Sequence, residues 1–390
     1  MQFERTPEQE MLVDTARRVG EKYGVDYWRE MDARKEYPAA LWREVCDAGL
    51  CGIALPEEHG GAGLGMLELA MAVEALAAGG GGSTLGQLFM CNPIFGGVAL
   101  SMFGTAEQKK NLLPKIISGE ATFCMALTEP DAGSNSLSIR TAARANSNGW
   151  KLSGQKIWIT GVPQATKMLV VARTTPLDQC KRKTDGISMF LVDVDRAGLS
   201  HAAIDKLGTN CLPSSMVYFD DLTIEGDELI GTLDGGWNEL LEVLNTERIV
   251  TTAGLVGTCS LALKLASDYA RNRKVFNATP IGAYQGLQFP LSQAYAEAEC
   301  ARLMNYKAAW LCDRREPYGG EANVAKLIAA QAAAQATERA MQTMGGMGYA
   351  KESHVERLWR DARLFRFAPV SEEMVLNFIA TRNLGLPRSY

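Results

Sequence analysis

The chain has 390 residues, 47% of them hydrophobic and 22% charged, with a formal net charge of −5. That length predicts two or three domains, and the mildly acidic balance gives no basic surface for nucleic acid or an anionic membrane. Glu4, Arg5, Glu8 and Glu10 interrupt the first stretch, so no signal peptide is expected. No window of about 18 apolar residues stands out, so no transmembrane helix is expected. Nine cysteines, with no CxxC pair, read as reduced thiols of a cytoplasmic protein, most of them core filler. Only three histidines, His59, His201 and His354, occur far apart. They argue against a metal site and against a Ser-His-Asp hydrolase.

Residues 1–122 read as helical. "PEQEMLVDTARRVGEKYG" has apolar residues at helical spacing, "AALWREVCDAGLCG" ends on glycine, and "TAEQKKNLLPKIISGE" opens on a threonine N-cap. "GGGGS" at 79–83 follows no strand and reads as a flexible break between helices. The texture changes near residue 122. "GWKLSGQKIWITGV", "KMLVVARTT", "GISMFLVDVD" and "SMVYFDDLTI" are short β-rich runs divided by turns, giving a compact β domain over 123–232. From "GGWNELLEVLNTERIV" onward helical periodicity returns. "LSQAYAEAECARLMNYKAAWLCDRR" and "EANVAKLIAAQAAAQATERAMQTMGG" are long amphipathic helices, and 233–390 suits an antiparallel bundle. The fold class is therefore α+β and multidomain. Neither GxGxxG nor GxxxxGK[ST] occurs.

"LTEPDAGSN" (127–135) is followed by "GQKIWITG" (154–161), "RNRKVF" (271–276), Gln285, "MQTMGGMGY" (341–349) and "RLWRDARLFRF" (357–367). With the upstream "FGTAEQKKNLLPKIISGE", this ordered set resembles the acyl-CoA dehydrogenase family over essentially the whole chain. The resemblance implies a helical N-terminal domain, a middle β-barrel and a C-terminal four-helix bundle. It implies FAD between barrel and bundle, and a homotetramer built as a dimer of dimers.

A flavin needs donors at its ring edge, a flat apolar wall and a cation at its pyrophosphate. By resemblance, Leu127 and Thr128 meet the ring edge, Trp158 covers a ring face and Thr160 bonds near N5. Gly133 lets the backbone approach, and Ser134 contacts both flavin and CoA. Met125 stands where the family often has an aromatic. Arg273, Phe276, Gln285, Gln342, Gly345 and Gly346 match positions that hold the adenine half of FAD in the neighbouring subunit. The loop between Phe276 and Gln285 is one residue longer than the family pattern.

The implied reaction takes a proton from the carbon α to a thioester and passes hydride from the β-carbon to the flavin. It needs a desolvated carboxylate over the α-carbon. In many members that glutamate lies in the last motif. Here the aligned residue is Pro369, which has no proton acceptor. Ser371 then matches a family threonine, Glu373 a position near the flavin, and Glu372 a variable position. Members resembling isovaleryl-CoA, long-chain and crotonobetainyl-CoA reductase-like enzymes carry the base on the first bundle helix, before an arginine. "LNTERIV" puts Glu247 there. At about 100° per residue, Glu247 falls within the arc of Leu240, Val243, Leu244 and Leu255, with Glu242 on the polar side. A structural pair with a basic residue of another helix is the competing reading. Asn245 and Arg248 match positions that contact acyl-CoA.

The expectation is therefore FAD-dependent α,β-dehydrogenation of a short or branched acyl-CoA, with an electron-transferring flavoprotein as acceptor. An enoyl-CoA reductase of the same fold and a non-catalytic flavin-binding protein are the alternatives.

Overall fold

A computed structural model describes residues 4–388. The N-terminal region holds seven α-helices: α1 (Pro7–Lys22), α2 (Val25–Arg34), α3 (Ala39–Asp47), α4 (Met66–Leu76), α5 (Ser83–Phe89), α6 (Ala99–Phe103) and α7 (Ala106–Ile117). Reciprocal caps start α1 and α7. Thr6 Oγ1 accepts from Gln9 N (3.2 Å) while Gln9 Oε1 accepts from Thr6 N (3.1 Å). Thr105 and Gln108 repeat the arrangement at 3.1 and 2.9 Å.

The glycine run after α4 is not a flexible break. Ala77–Gly81 forms a wide helical turn that is largely buried. A Cβ on Gly79 would lie 2.3 Å from the backbone of Gly20, and one on Gly80 2.8 Å from that of Gly24. These glycines let two chain segments touch backbone to backbone.

Eight strands follow: β1 (Phe123–Ala126), β2 (Ala142–Ala145), β3 (Gly149–Thr160), β4 (Lys167–Arg173), β5 (Ile187–Asp193), β6 (Leu199–Ile204), β7 (Ser214–Glu225) and β8 (Leu229–Ile230). They pair in the order β6-β7-β3-β2-β4-β5-β8, with β1 parallel to β4. The end strands β6 and β8 do not pair, so the barrel is open on that side. Leu152, Val170, Phe190, Val217 and Leu222 fill its interior.

The C-terminal region is built on three long helices, α8 (Gly236–Asn272), α9 (Gln285–Asp313) and α10 (Gly319–Met344). A short hairpin, β9 (Lys274–Val275) and β10 (Thr279–Pro280), joins α8 to α9. Then come α11 (Gly346–Tyr349), α12 (Val355–Arg363), the fourth packed helix, and α13 (Glu372–Phe378). Alanines such as Ala298, Ala301, Ala329, Ala333 and Ala336 line the bundle core. They let the helices approach closely. Helix α9 starts six residues before its apolar pattern, because its first turns, including Gln285, Gln288 and Phe289, are exposed.

Two helical stretches, Ser83–Phe103 and Gly236–Asn272, are long and apolar enough to cross a membrane by length and composition, contrary to the sequence expectation. They pass that test because they are central to the fold, with 89% and 83% of their most apolar windows buried. Gly, Ser, Thr and Cys break up their apolar runs without adding charge, which hid them in the sequence.

Buried ion pairs tie the three regions together. Arg357 donates to Asp361 (3.1 Å) and to the carbonyls of Gly80 (2.6 Å) and Gly81 (3.1 Å). Asp361 also accepts from Thr84 Oγ1 (3.2 Å) and from Thr209 N (2.5 Å). One pair thus holds the glycine turn, α5, the barrel and α12. Arg302 on α9 pairs with Glu74 on α4 at 2.6 Å. Asp313, at the end of α9, caps α4 through Met66 N (2.6 Å) and Leu67 N (3.1 Å).

Candidate functional site

Glu247 lies in the buried half of α8, only 3% exposed, beside Leu240, Val243, Ile249 and Val250. Glu242 is exposed. Burial pushes the Glu247 carboxyl up to about 7, against the opposing pull of Arg248 and Lys326. Neither cation pairs with it. Arg248 donates to Asn245 Oδ1 (2.6 Å). Lys326, itself fully buried, donates to the carbonyls of Phe365 (2.7 Å) and Val370 (2.6 Å). The interhelical ion pair that competed with the catalytic reading is absent among the described residues. Asn245 and Arg248 lie on α8, and Asn245 packs against the start of α10, where a Cβ on Gly319 would lie 3.2 Å from its amide nitrogen.

The carboxylates of the last motif are placed differently. Glu372 is buried and accepts from Arg366 Nη2 at 2.8 Å. Glu373 is exposed, and backbone N–H donation holds its carboxyl below the ordinary value. Ser371 caps α13 by accepting from Met374 N (3.3 Å). Pro369 is exposed in the chain.

Across from Glu247 stands Cys91, in the wide turns Met90–Val98 that follow α5. Its thiol lies 3.9 Å from the Thr160 carbonyl, at the end of β3. Burial and the Glu247 charge push it up to about 12. Glu247 on α8, the Cys91 turn and the end of β3 are therefore neighbours. Thr160 Oγ1 sits 3.3 Å from Ser214 Oγ, which accepts from Lys206 Nζ at 2.9 Å.

Lys156 organises the barrel side, and sequence reasoning missed it. It is fully buried and donates to Glu129 Oε1 (2.9 Å) and to the Leu127 carbonyl (2.8 Å). Glu129 also accepts from the N–H groups of Arg140 (2.6 Å) and Thr141 (2.9 Å). Burial lowers Lys156 to about 8 despite Glu129. The pair pins the loop of Leu127 and Thr128 against β3. Ile157 N then donates to the Thr128 carbonyl (2.9 Å). One signal was readable: Lys156 stands in register with inward-facing Leu152. Lys326 is similar, between Ala322, Ala325, Ala329 and Ala330 on α10.

Several features fit a flat ring system here. Trp158 is 54% exposed although it sits on β3, and its backbone is left-handed (φ 63°). Met125, Leu127 and Thr128 are half-buried, and Ser134 is exposed. A Cβ on Gly133 would meet nothing within 4 Å, so space stands open where a ligand would press against the backbone.

The second set of positions lies elsewhere. Arg273 follows α8, Phe276 is at the hairpin tip and Gln285 opens α9. Gln342 lies in the last turn of α10, Gly345 follows it and Gly346 opens α11. All are exposed, Phe276 to 82%, and Gly345 and Gly346 also face open space. Arg273 lies about 39 Å along the α8 axis from Glu247, at 1.5 Å per residue. Arg273 thus stands far from Glu247 within one chain.

Three family models match in order: the acyl-CoA dehydrogenase N-terminal domain over residues 6–120, the middle domain over 124–222 and the C-terminal domain over 234–384. Acyl-CoA dehydrogenase FadE12 of Mycobacterium tuberculosis is 42% identical over 370 residues, covering 94% of each chain. The bovine mitochondrial short-chain specific acyl-CoA dehydrogenase is 37% identical over 356 residues, covering 91% of this chain and 85% of that one. Butyryl-CoA dehydrogenase from Megasphaera elsdenii superposes with a TM-score of 0.92 at 28% identity, covering 98% of this chain and 100% of that one. The chain belongs to the acyl-CoA dehydrogenase family of FAD-dependent oxidoreductases that act on the CH–CH group of acyl-CoA thioesters.

Proposed function

We propose that this protein oxidises a short or branched acyl-CoA to its 2-enoyl thioester, with Glu247 taking the α-proton. The observation that carries this reading is the buried Glu247 carboxyl. It has no ion-pair partner among the described residues, it is raised to about 7, and it neighbours Cys91, whose thiol lies 3.9 Å from the Thr160 carbonyl. A carboxylate poised near neutral pH is ionised in a useful fraction of molecules and remains basic enough to attack a weak C–H acid. Arg248 and Lys326 keep it from rising further. The fold around it excludes water. FAD, when bound, supplies the acceptor for the β-hydrogen and its electron pair.

Leu127, Thr128, Trp158 and Thr160 would hold the flavin ring of one copy, with Met125, Gly133, Ser134, Ser371 and Glu373 around it. Arg273, Phe276, Gln285, Gln342, Gly345 and Gly346 would hold the adenine half bound to a neighbouring copy. The long separation of Arg273 from Glu247 along α8 supports that division, and a homotetramer built as a dimer of dimers is the proposed assembly. Ser134, Asn245 and Arg248 are the proposed acyl-CoA contacts. An electron-transferring flavoprotein is the proposed acceptor, and nine unpaired cysteines suit a cytoplasmic location.

The test is anaerobic titration of the holoenzyme with saturated straight and branched acyl-CoAs. Bleaching of the flavin band by a short or branched thioester is expected. Bleaching by none of them, with reoxidation of dithionite-reduced enzyme by enoyl-CoA, would replace dehydrogenation by enoyl reduction.

A further inference from the structure

Past Glu247, α8 crosses α5. A Cβ on Gly86 would lie 3.2 Å from the Val250 carbonyl oxygen and 3.6 Å from Thr251 Cα. One on Gly254 would lie 3.0 Å from Gly86 Cα and 3.5 Å from Ser83 Cα. The helices therefore run antiparallel with backbones in contact. Between this contact and the base, each helix offers one turn. On α8 it presents Thr251, four residues beyond Glu247. On α5 it presents Gln87, four residues before Cys91. Residues four apart share a helix face, so Gln87 and Thr251 stand at the same depth.

Both side chains are buried, 4% and 2% exposed. Gln87 Oε1 and Thr251 Oγ1 have no hydrogen-bond partner among the described residues. Buried polar atoms are normally bonded. A helical threonine can bond to the carbonyl four residues back, and in this protein Thr258 does so to Gly254 O (2.9 Å) and Thr337 to Ala333 O (2.8 Å). Thr251 does not. Polar groups on both contacting helices are thus left open, with Ser83 Oγ and Thr252 Oγ1 also unpartnered among the described residues.

Arg248 donates to Asn245 through Nη1, with its buried Nε unpartnered among the described residues, and Lys326 donates to the Phe365 and Val370 carbonyls. The Glu247 carboxylate, one turn away, would repel an anion. We infer that the acyl chain ends in a neutral hydrogen-bonding group, a hydroxyl, which Gln87 and Thr251 hold at the floor of the pocket. A hydroxyl both donates and accepts, as this pair requires. One helical turn beyond the base corresponds to about four single bonds beyond the α-carbon. This inference rests on Glu247 as the base.

The test compares 5-hydroxypentanoyl-CoA with hexanoyl-CoA, which have equal chain lengths, on flavin-loaded enzyme. Dissociation constants are measured on Glu247→Gln, and kcat/KM on wild type, Thr251→Val and Gln87→Met. Wild type is expected to favour the hydroxylated thioester by about 100-fold or more, as a site built to bond a hydroxyl discriminates strongly. Each pocket variant should cut that ratio at least about tenfold while still oxidising hexanoyl-CoA. Thr251 and Gln87 in a merely structural role would leave the ratio unchanged and move only stability. A wild-type preference for hexanoyl-CoA, or an unchanged ratio in both variants, overturns the inference and leaves Glu247 standing. Failure of every thioester to reduce the flavin overturns the dehydrogenation reading, and this inference with it.

Discussion

Ionising Glu247 costs the folded state, and that cost should be visible as a pH-dependent stability. Its carboxyl sits near 7 rather than the ordinary 4.5, chiefly because it is buried. For a group whose folded pKa is raised, the native state holds a proton that the unfolded state has already lost. Between pH 4.5 and 7 the protein is therefore stabilised by protonation, and stability falls as pH rises through that window. The full effect is about 3 kcal/mol, from about 1.36 kcal/mol per pH unit. Between pH 5 and pH 8 the linkage relation gives about 2.5 kcal/mol. Glu247→Gln removes the titration and keeps the shape. Denaturant unfolding of flavin-loaded enzyme, followed by tryptophan fluorescence, should find the variant gaining about 2.5 kcal/mol on wild type between pH 5 and pH 8. An equal difference at both pH values would refute a buried, unpaired carboxylate at this position. The same pKa predicts that kcat/KM falls about tenfold per pH unit below about 7.

Lys156→Met leaves Glu129 buried without its cation, so it should destabilise by about 3–5 kcal/mol. Because Leu127 and Thr128 lose their anchor, the purified variant should also hold less flavin than wild type, read as the ratio of flavin to protein absorbance. Trp158→Ala should leave denaturant stability within about 0.5 kcal/mol, as the residue is largely exposed. Its flavin dissociation constant should nevertheless rise, measured by fluorescence titration. In Gly257→Val the new side chain would meet Ala77 Cβ at 2.5 Å and the Glu74 carbonyl oxygen at 2.7 Å. It should cost about 1–3 kcal/mol or more by overpacking, measured as a lower denaturation midpoint.

Local chemistry was readable in the sequence where the deciding residues are near neighbours. The cap at Thr105 needs only a glutamine three residues on. The phase of α8 that buries Glu247 and exposes Glu242 needs only one helical pattern. What could not be read depends on distant partners. Gly79 and Gly80 look like a flexible run until Gly20 and Gly24 are found against them. Lys156 looks like a surface lysine until Glu129 is found across from it. The start of α9 carries no apolar periodicity because those turns are exposed in this chain. Pairing between segments, rather than propensity, decides such positions.

The most direct test of the account is single-turnover flavin reduction by a substrate thioester, with wild type, Glu247→Gln, Glu372→Gln and Glu373→Gln measured together. Proton abstraction by Glu247 predicts that Glu247→Gln binds the thioester but stays yellow, with reduction slowed by about three orders of magnitude or more. The other two variants should stay within about tenfold of wild type. Reduction by Glu247→Gln at the wild-type rate, with loss in Glu372→Gln or Glu373→Gln, would contradict it and return the catalytic role to the last motif.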